Sequence, residues 1–172
     1  VIFDPDVVRS LFGGIITALD GERVLQGASF LKDYMNRQFA SPLITIVDDG
    51  TIAKSLGSSP FDGEGVPTRK IVLIENGVIK SFIYNTNAAK RAGVESTGSA
   101  SRGGFSSLPG IGTHKVYLLP GKYTPEEIIK NTKKGLLLKE VTGYGVDPVT
   151  GNFSGGASGL WIVDGRILHP VK

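Results

Sequence analysis

The sequence predicts an α+β fold with a largely antiparallel, curved, barrel-like β-sheet, an N-terminal helix and a second helix near 124–134. Three observations carry this. Helix-period apolar spacing opens the chain, an Asn-Gly hairpin lies near its middle, and the strands are joined by short turns rather than by the helical crossovers of a parallel sheet. Glycine is abundant, 24 of 172 residues beside 9 prolines, and no Gly-X-Y period accompanies it. These glycines therefore serve turns and close backbone approaches.

The first helix begins at Asp4, which can cap, and Pro5, which suits the first helical position. Val7, Val8, Leu11, Phe12, Ile15, Ile16 and Leu19 then recur on one face, and Asp20-Gly21 is read as the stop. Gly13 and Gly14 lie mid-helix, at about 1 kcal/mol each relative to alanine, so something is expected to pack closely there. A short helical stretch is expected from Ser29 toward Gln38, and a strand from Leu43 to Val47 closed by Asp48-Asp49-Gly50.

Residues 55 to 69 have no period and read as loop. Ile71 to Ile74, Asn76-Gly77 and Val78 to Tyr84 give a hairpin, because Asn-Gly tolerates the positive φ angles of a type I′ turn. Thr86 to Ala92 reads as a helix stopped by Gly93, and residues 97 to 112 as a second loop. After a strand from Lys115 to Leu119, Thr124-Pro125-Glu126-Glu127 marks a helix start with a capping box, and Gly135 is read as its stop. Leu136 to Val141 and Leu160 to Val163 read as strands, the latter turning at Asp164-Gly165 into Arg166 to Leu168. The whole of 1–172 is expected to be a single domain.

Charge excludes more than it suggests. Nineteen Lys and Arg against 16 Asp and Glu give +3. No stretch is basic enough for a phosphate-binding face, so nucleic acid is not expected. No cysteine is present, which removes disulfides and thiolate metal sites and fits a cytoplasmic protein. The longest apolar segment, Val7 to Leu19, is broken by Arg9 and Ser10 and too short to span a bilayer, so no membrane role is expected. A chain opening on Val1 reads as an excised piece.

The motifs for common chemistries are missing. Neither a P-loop nor a dinucleotide loop occurs, since Pro148 stands where Gly143-Tyr144-Gly145 would need its third glycine. His114 and His169 have no second histidine at ligand spacing and read as strand-flanking polar residues. Ser101 and Ser154 each miss G-x-S-x-G at the first glycine. Ser29 and Lys32 match S-x-x-K without its companion motifs, so Ser29 reads as a helix cap, with a Ser29–Lys32 hydrolase as the competing account. Asp62-Gly63-Glu64-Gly65 sets two carboxylates among glycines. Such a loop either binds a cation or peptide amine or caps its own backbone amides. The glycine clusters at 98–112 and 143–159 either admit a substrate backbone or make tight turns between strands.

Four blocks, in order, carry a resemblance over nearly the whole chain. They are Ile44-Thr45-Ile46-Val47-Asp48-Asp49, then Pro60-Phe61-Asp62-Gly63-Glu64-Gly65-Val66-Pro67-Thr68, then Ala88-Ala89-Lys90-Arg91-Ala92-Gly93-Val94 with Thr97-Gly98. The fourth runs from Gly135 through Glu140-Val141-Thr142-Gly143-Tyr144-Gly145-Val146, Thr150-Gly151-Asn152-Phe153-Ser154 and Gly159-Leu160-Trp161-Ile162 to Pro170-Val171. In them the chain resembles the TldD/PmbA family, in particular the C-terminal domain of its PmbA (TldE) branch.

The resemblance implies a cytosolic protease assembly in which a TldD-type subunit carries zinc on HExxxH plus a later cysteine, paired with a PmbA-type subunit. Related pairs process small peptides and unfolded segments, including a gyrase-targeting microcin precursor and an antitoxin. An ungapped count back from Thr45 puts Phe12, Gly13 and Thr17 where the zinc-binding branch has its first His, catalytic Glu and second His. None of the three can do that work, so no catalytic or metal-binding residue is expected in this chain, and zinc is expected in a TldD-type partner. Gly14 stands where the non-zinc branch often has His, Gly155 where relatives usually carry Arg, and Asn152 where they carry Asp.

The implied role is that of a partner and peptide-groove component of a metallopeptidase complex, paired with a zinc-bearing TldD-type subunit or as a homodimer. Asp62, Gly63, Glu64, Gly65, Gly98, Arg102 and Gly103 are the candidate groove or subunit contacts. The alternative is an active metallopeptidase whose catalytic residues lie outside this segment.

Overall fold

The computed structural model describes residues 1–172, except for the side chain of Tyr144. The fold is α+β with largely antiparallel sheets, one of them strongly curled, as the sequence predicts. Its contacts divide into two compact units, Val1–Thr17 with Gly121–Lys172, and Ala18–Pro120.

In the first unit, strand β1 (Ile2–Phe3) leads into helix α1 (Pro5–Ala18), whose first turn is joined by Asp4 accepting the Asp6 amide at 3.2 Å. The chain returns through helix α4 (Pro125–Lys130) to strands β8 (Lys134–Val146), β9 (Phe153–Val163) and β10 (Arg166–Val171). Their order is β1-β8-β9-β10, with β1 parallel to β8 and the other pairs antiparallel. Lys139 closes the entry to α1 by donating to the Asp4 carboxylate at 2.6 Å. Gly14 has its packing reason: a Cβ there would collide with the Val146 carbonyl. Gly13 meets nothing, so the expectation holds for one of the two glycines.

Two expectations need correction in this unit. The helix opened by Thr124 has its capping box, with Glu127 accepting the Thr124 amide at 2.8 Å, but it ends at Asn131, and Gly135 lies inside β8 opposite Ile162. The glycines at 143–159 are not only turn residues, because β8 and β9 run on through them as one long hairpin, with Gly143 opposite Gly155 and Thr142 opposite Gly156. Here the ladder, not the side-chain pattern, sets the strand. A Cβ at Gly155 would come within 2.6 Å of the Thr142 carbonyl oxygen, so this pairing admits little else.

The second unit holds helices α2 (Gly21–Leu25) and α3 (Thr86–Ala92) and a sheet of β2 (Ile46–Asp49), β3 (Lys70–Glu75), β4 (Val78–Ile79) and β7 (Val116–Leu118) in the order β4-β3-β2-β7. A two-stranded ribbon, β5 (Ala100–Ser101) with β6 (Gly110–Ile111), stands apart. Leu19, Leu31, Ile46, Leu73, Ile74, Ile79 and Ile83 are buried as its core, each side chain contributing roughly 1.5–3 kcal/mol. Asn76 and Gly77 take φ of 48° and 79°, the type I′ turn expected of them. Helix α3 matches its predicted span, capped by Asn85 accepting the Ala88 amide and ended by left-handed Gly93.

Five expectations need correction here. The strand from Val78 ends at Ile79 rather than Tyr84, and the 97–112 loop holds the β5–β6 ribbon. Asp20-Gly21 does not simply stop a helix: Asp20 caps α2 by accepting the Glu22 and Arg23 amides. Residues 29–38 form turns and bridges rather than a helix. Strand β2 starts later than Leu43 and takes in both Asp48 and Asp49, which are buried. Their carboxylates find backbone donors, so polarity does not exclude them from the sheet.

Candidate functional site

The candidate residues fall in two loops of the second unit, and Asp62 joins them. Its Oδ1 accepts the amides of Glu64 at 2.8 Å and Val66 at 3.0 Å, closing the DGEG turn on itself. Its Oδ2 accepts the amide of Ala100 at 2.9 Å, across to the other loop. Gly63 adds a main-chain bond, its amide donating to the Ala100 carbonyl at 2.8 Å. Of the two readings of this turn, capping of backbone amides describes Asp62.

Arg102 fastens the same seam. Its Nε donates to the Gly63 carbonyl at 2.7 Å and its Nη1 to the Ser107 carbonyl at 2.8 Å. Glu64 points elsewhere, accepting the Thr86 amide at 2.8 Å in the first turn of α3, where a carboxylate complements the helix dipole. Gly65 and Gly98 have φ of 82° and 68°. Gly98 is also pressed against loop 60–68, since a Cβ there would lie 2.6 Å from the Pro67 carbonyl oxygen. Gly103 is exposed on the tip beyond Arg102 and has only Ser107 near it.

Asp62, Gly63 and Arg102 line a cleft of about 370 Å³ with Ser59, Phe61, Ala100, Ser101, Gly112, Thr113 and His114. Beneath it lies a pair the sequence does not reveal. Asp48 is fully buried, and its Oδ1 accepts the amides of His114 at 2.9 Å and Lys115 at 2.8 Å. The His114 ring packs over it, with Nδ1 3.6 Å from Asp48 Oδ2 and only a tenth of the side chain exposed. Burial pushes the Asp48 carboxyl above the usual range, against the pull of the amides and the ring. Two adjacent aspartates ending an apolar strand are a signal in retrospect; nothing near His114 in sequence marks its partner 66 residues away.

The Ser29–Lys32 pair is not an active site. Ser29 is buried, its hydroxyl donates to the Ala18 carbonyl at 2.6 Å and accepts the Leu31 amide at 3.0 Å, while Lys32 is exposed. Nor does α1 fit a zinc ion. Phe12 has no donor atom, Gly13 no side chain, and the Thr17 hydroxyl is spent on the Gly13 carbonyl at 2.8 Å. Among the described residues no group of three or more His, Cys, Asp or Glu lies close enough to share a metal. Likewise, among them no helix is long and apolar enough to cross a membrane.

Comparison with known proteins places this architecture. The family model of the PmbA/TldA metallopeptidase C-terminal domain matches residues 1–172. The chain is 32% identical over 172 residues to the metalloprotease PmbA of Escherichia coli O157:H7, covering 100% of itself and 36% of that protein. It is 36% identical over 175 residues to a metalloprotease TldD homologue of Buchnera aphidicola subsp. Acyrthosiphon pisum, covering 98% of itself and 36% of the relative. The crystal structure of TldE from Thermococcus kodakarensis superposes with a TM-score of 0.80 at 36% identity, over 88% of this chain and 35% of that one. The chain thus spans about a third of the length of these relatives.

Proposed function

The chain belongs to the PmbA/TldD metallopeptidase family, as its C-terminal domain, and from this we propose that it serves a PmbA (TldE)-like subunit as partner and peptide-groove component, without supplying the catalytic group. The observation that carries the reading is the donor set of α1. Hydrolysis at zinc needs ligands and a carboxylate to take a proton from the bound water. Phe12, Gly13 and Thr17 offer neither, with the one hydroxyl already bonded within the helix. The zinc then belongs to a TldD-type partner in a cytoplasmic heterodimer, with a homodimer as the alternative assembly, and the substrate is a peptide or unfolded segment.

The sewn loops suit the groove role. Asp62, Gly63 and Arg102 hold the cleft wall rigid while the tip at 103–108 stays exposed, with Phe105 fully so and Leu108 nearly so. A fixed wall with glycines near the main chain favours extended peptides of varied sequence.

The second reading, a peptidase with its catalytic residues outside residues 1–172, draws support from the likeness to the TldD homologue. One experiment separates the two. The full-length protein is assayed for bound zinc and peptide cleavage, alone and mixed with an HExxxH-bearing homologue. We expect zinc and cleavage only in the mixture; zinc-dependent cleavage by the protein alone establishes the second reading.

A further inference from the structure

We propose that the cleft between loops 59–63, 100–102 and 112–114 is a carboxylate-binding site, with the Arg102 guanidinium as its charged donor and the His114 ring beside it. It rests on the peptide-groove reading and names the group that groove holds.

The choice between anion and cation follows from which polar atoms are already committed. Asp62 lines the cleft, yet both its oxygens are taken by three backbone amides, at 2.8, 3.0 and 2.9 Å. It has little left for a peptide amine or a metal ion. Donors, by contrast, are spare. Arg102 uses Nε and Nη1 on the Gly63 and Ser107 carbonyls, and among the described residues its Nη2 has no acceptor. That anchors the planar fork at two of its nitrogens and leaves the N–H groups of the third, Nη2, as charged donors for a carboxylate. The hydroxyls of Ser101 and Thr113 line the same wall and also lack acceptors among the described residues.

His114 stands on the same wall. Its Nδ1 is buried without a hydrogen-bond partner and faces Asp48 at 3.6 Å, which leaves Nε2 as the ring nitrogen free to meet a ligand.

The test uses the full-length protein and four probes in calorimetric titration: N-acetyl-Gly-Ala as the free acid, the same dipeptide as the amide, N-acetyl-Gly-Glu amide, and acetate. We expect the free acid to bind about tenfold tighter than the amide, the gain of a charge-assisted pair. Arg102→Gln and His114→Gln should each erase most of that difference. Arg102→Gln, on an exposed loop, keeps the test decisive should His114→Gln fail to fold. A Glu amide that matches the free acid assigns the site to any carboxylate, and a weaker one to a chain terminus; acetate alone gauges the anion without a peptide. Equal binding of acid and amide overturns the carboxylate site and leaves the peptide groove standing, whereas no binding by any probe overturns the site outright. Discrimination that survives in a protein shown to cleave peptides alone separates this site from the partner reading.

Discussion

The loops of the second unit and the β8–β9 hairpin of the first are both rich in glycine, yet they are held by opposite means. In the hairpin the main chain does the holding, with ladder pairs from Lys134 opposite Val163 to Val146 opposite Phe153, and glycines where a side chain would meet the facing strand. In the loops a few polar side chains act in place of a ladder: Asp48 gathers two amides from 114 and 115, and Asp62 three from 64, 66 and 100. A structure stored in the main chain tolerates changes of side-chain chemistry and resists changes of volume. One stored in side-chain carboxylates does the reverse.

The largest test of that contrast removes a buried carboxylate. Asp48→Ala leaves the His114 and Lys115 amides without their acceptor at a fully buried position. At roughly 1–3 kcal/mol for each orphaned group, the full-length protein should lose about 3 kcal/mol, read as a lower midpoint in urea. The same residue sets a pH dependence. Its carboxyl is raised by burial, so between the ordinary value of 3.8 and the raised one the folded state holds a proton that the unfolded state has released. Stability from this group therefore falls as pH rises through that window. Asp48→Asn does not titrate, and urea midpoints from pH 3 to 7 should show the wild-type curve falling relative to the variant's. Parallel curves would mean that Asp48 ionises in the fold as freely as in water.

The converse test adds volume without chemistry. Gly159 is buried in β9, and a Cβ there would collide with the Leu137 carbonyl. Gly159→Ala should cost about 1–3 kcal/mol through displaced backbone. Gly104, on the loop beyond Arg102, has nothing within 4 Å of its would-be Cβ, and Gly104→Ala should stay within about 0.5 kcal/mol of wild type. Equal losses at both positions would show that glycine serves the same purpose in the two regions.

The same division explains what the sequence makes legible. Local chemistry reads directly: Asn76-Gly77, the Thr86 to Ala92 span of α3 with its Gly93 stop and the Thr124 capping box are each decided within a few residues, and all appear as expected. The fold class follows from them, because turns this short permit only antiparallel neighbours. What the sequence hides is settled at a distance. Asp48 reads as a strand terminator until the amides at 114 and 115 are seen to accept it into the sheet. The glycines of 143–159 read as tight turns or room for a substrate backbone because glycine carries no periodicity, and only the facing strand reveals the ladder. At the candidate site the DGEG turn is visible as a motif, and so is Arg102 as a nearby cation. That Asp62 spends itself on Ala100, and that His114 covers Asp48, depends on pairings 38 and 66 residues apart.

A small effect is expected at a side-chain link that is not buried. Arg91 on α3 meets Glu22 on α2, its Nη1 lying 2.7 Å from both carboxylate oxygens, with 48% and 33% of the two side chains exposed. The guanidinium and the Gln26 amide hold the Glu22 carboxyl below its usual range. That preference is screened by water at this exposure, so Arg91→Gln should cost only about 0.2–1 kcal/mol. The loss should shrink further in 1 M salt, where the screening length falls to about 3 Å. Asp48→Ala should be nearly indifferent to salt, since its partners are backbone amides inside the unit. Urea midpoints at low and high ionic strength for the two variants separate these cases, and a salt-insensitive loss at Arg91 as large as that at Asp48 would show that the number of polar links, rather than their burial, holds the second unit together.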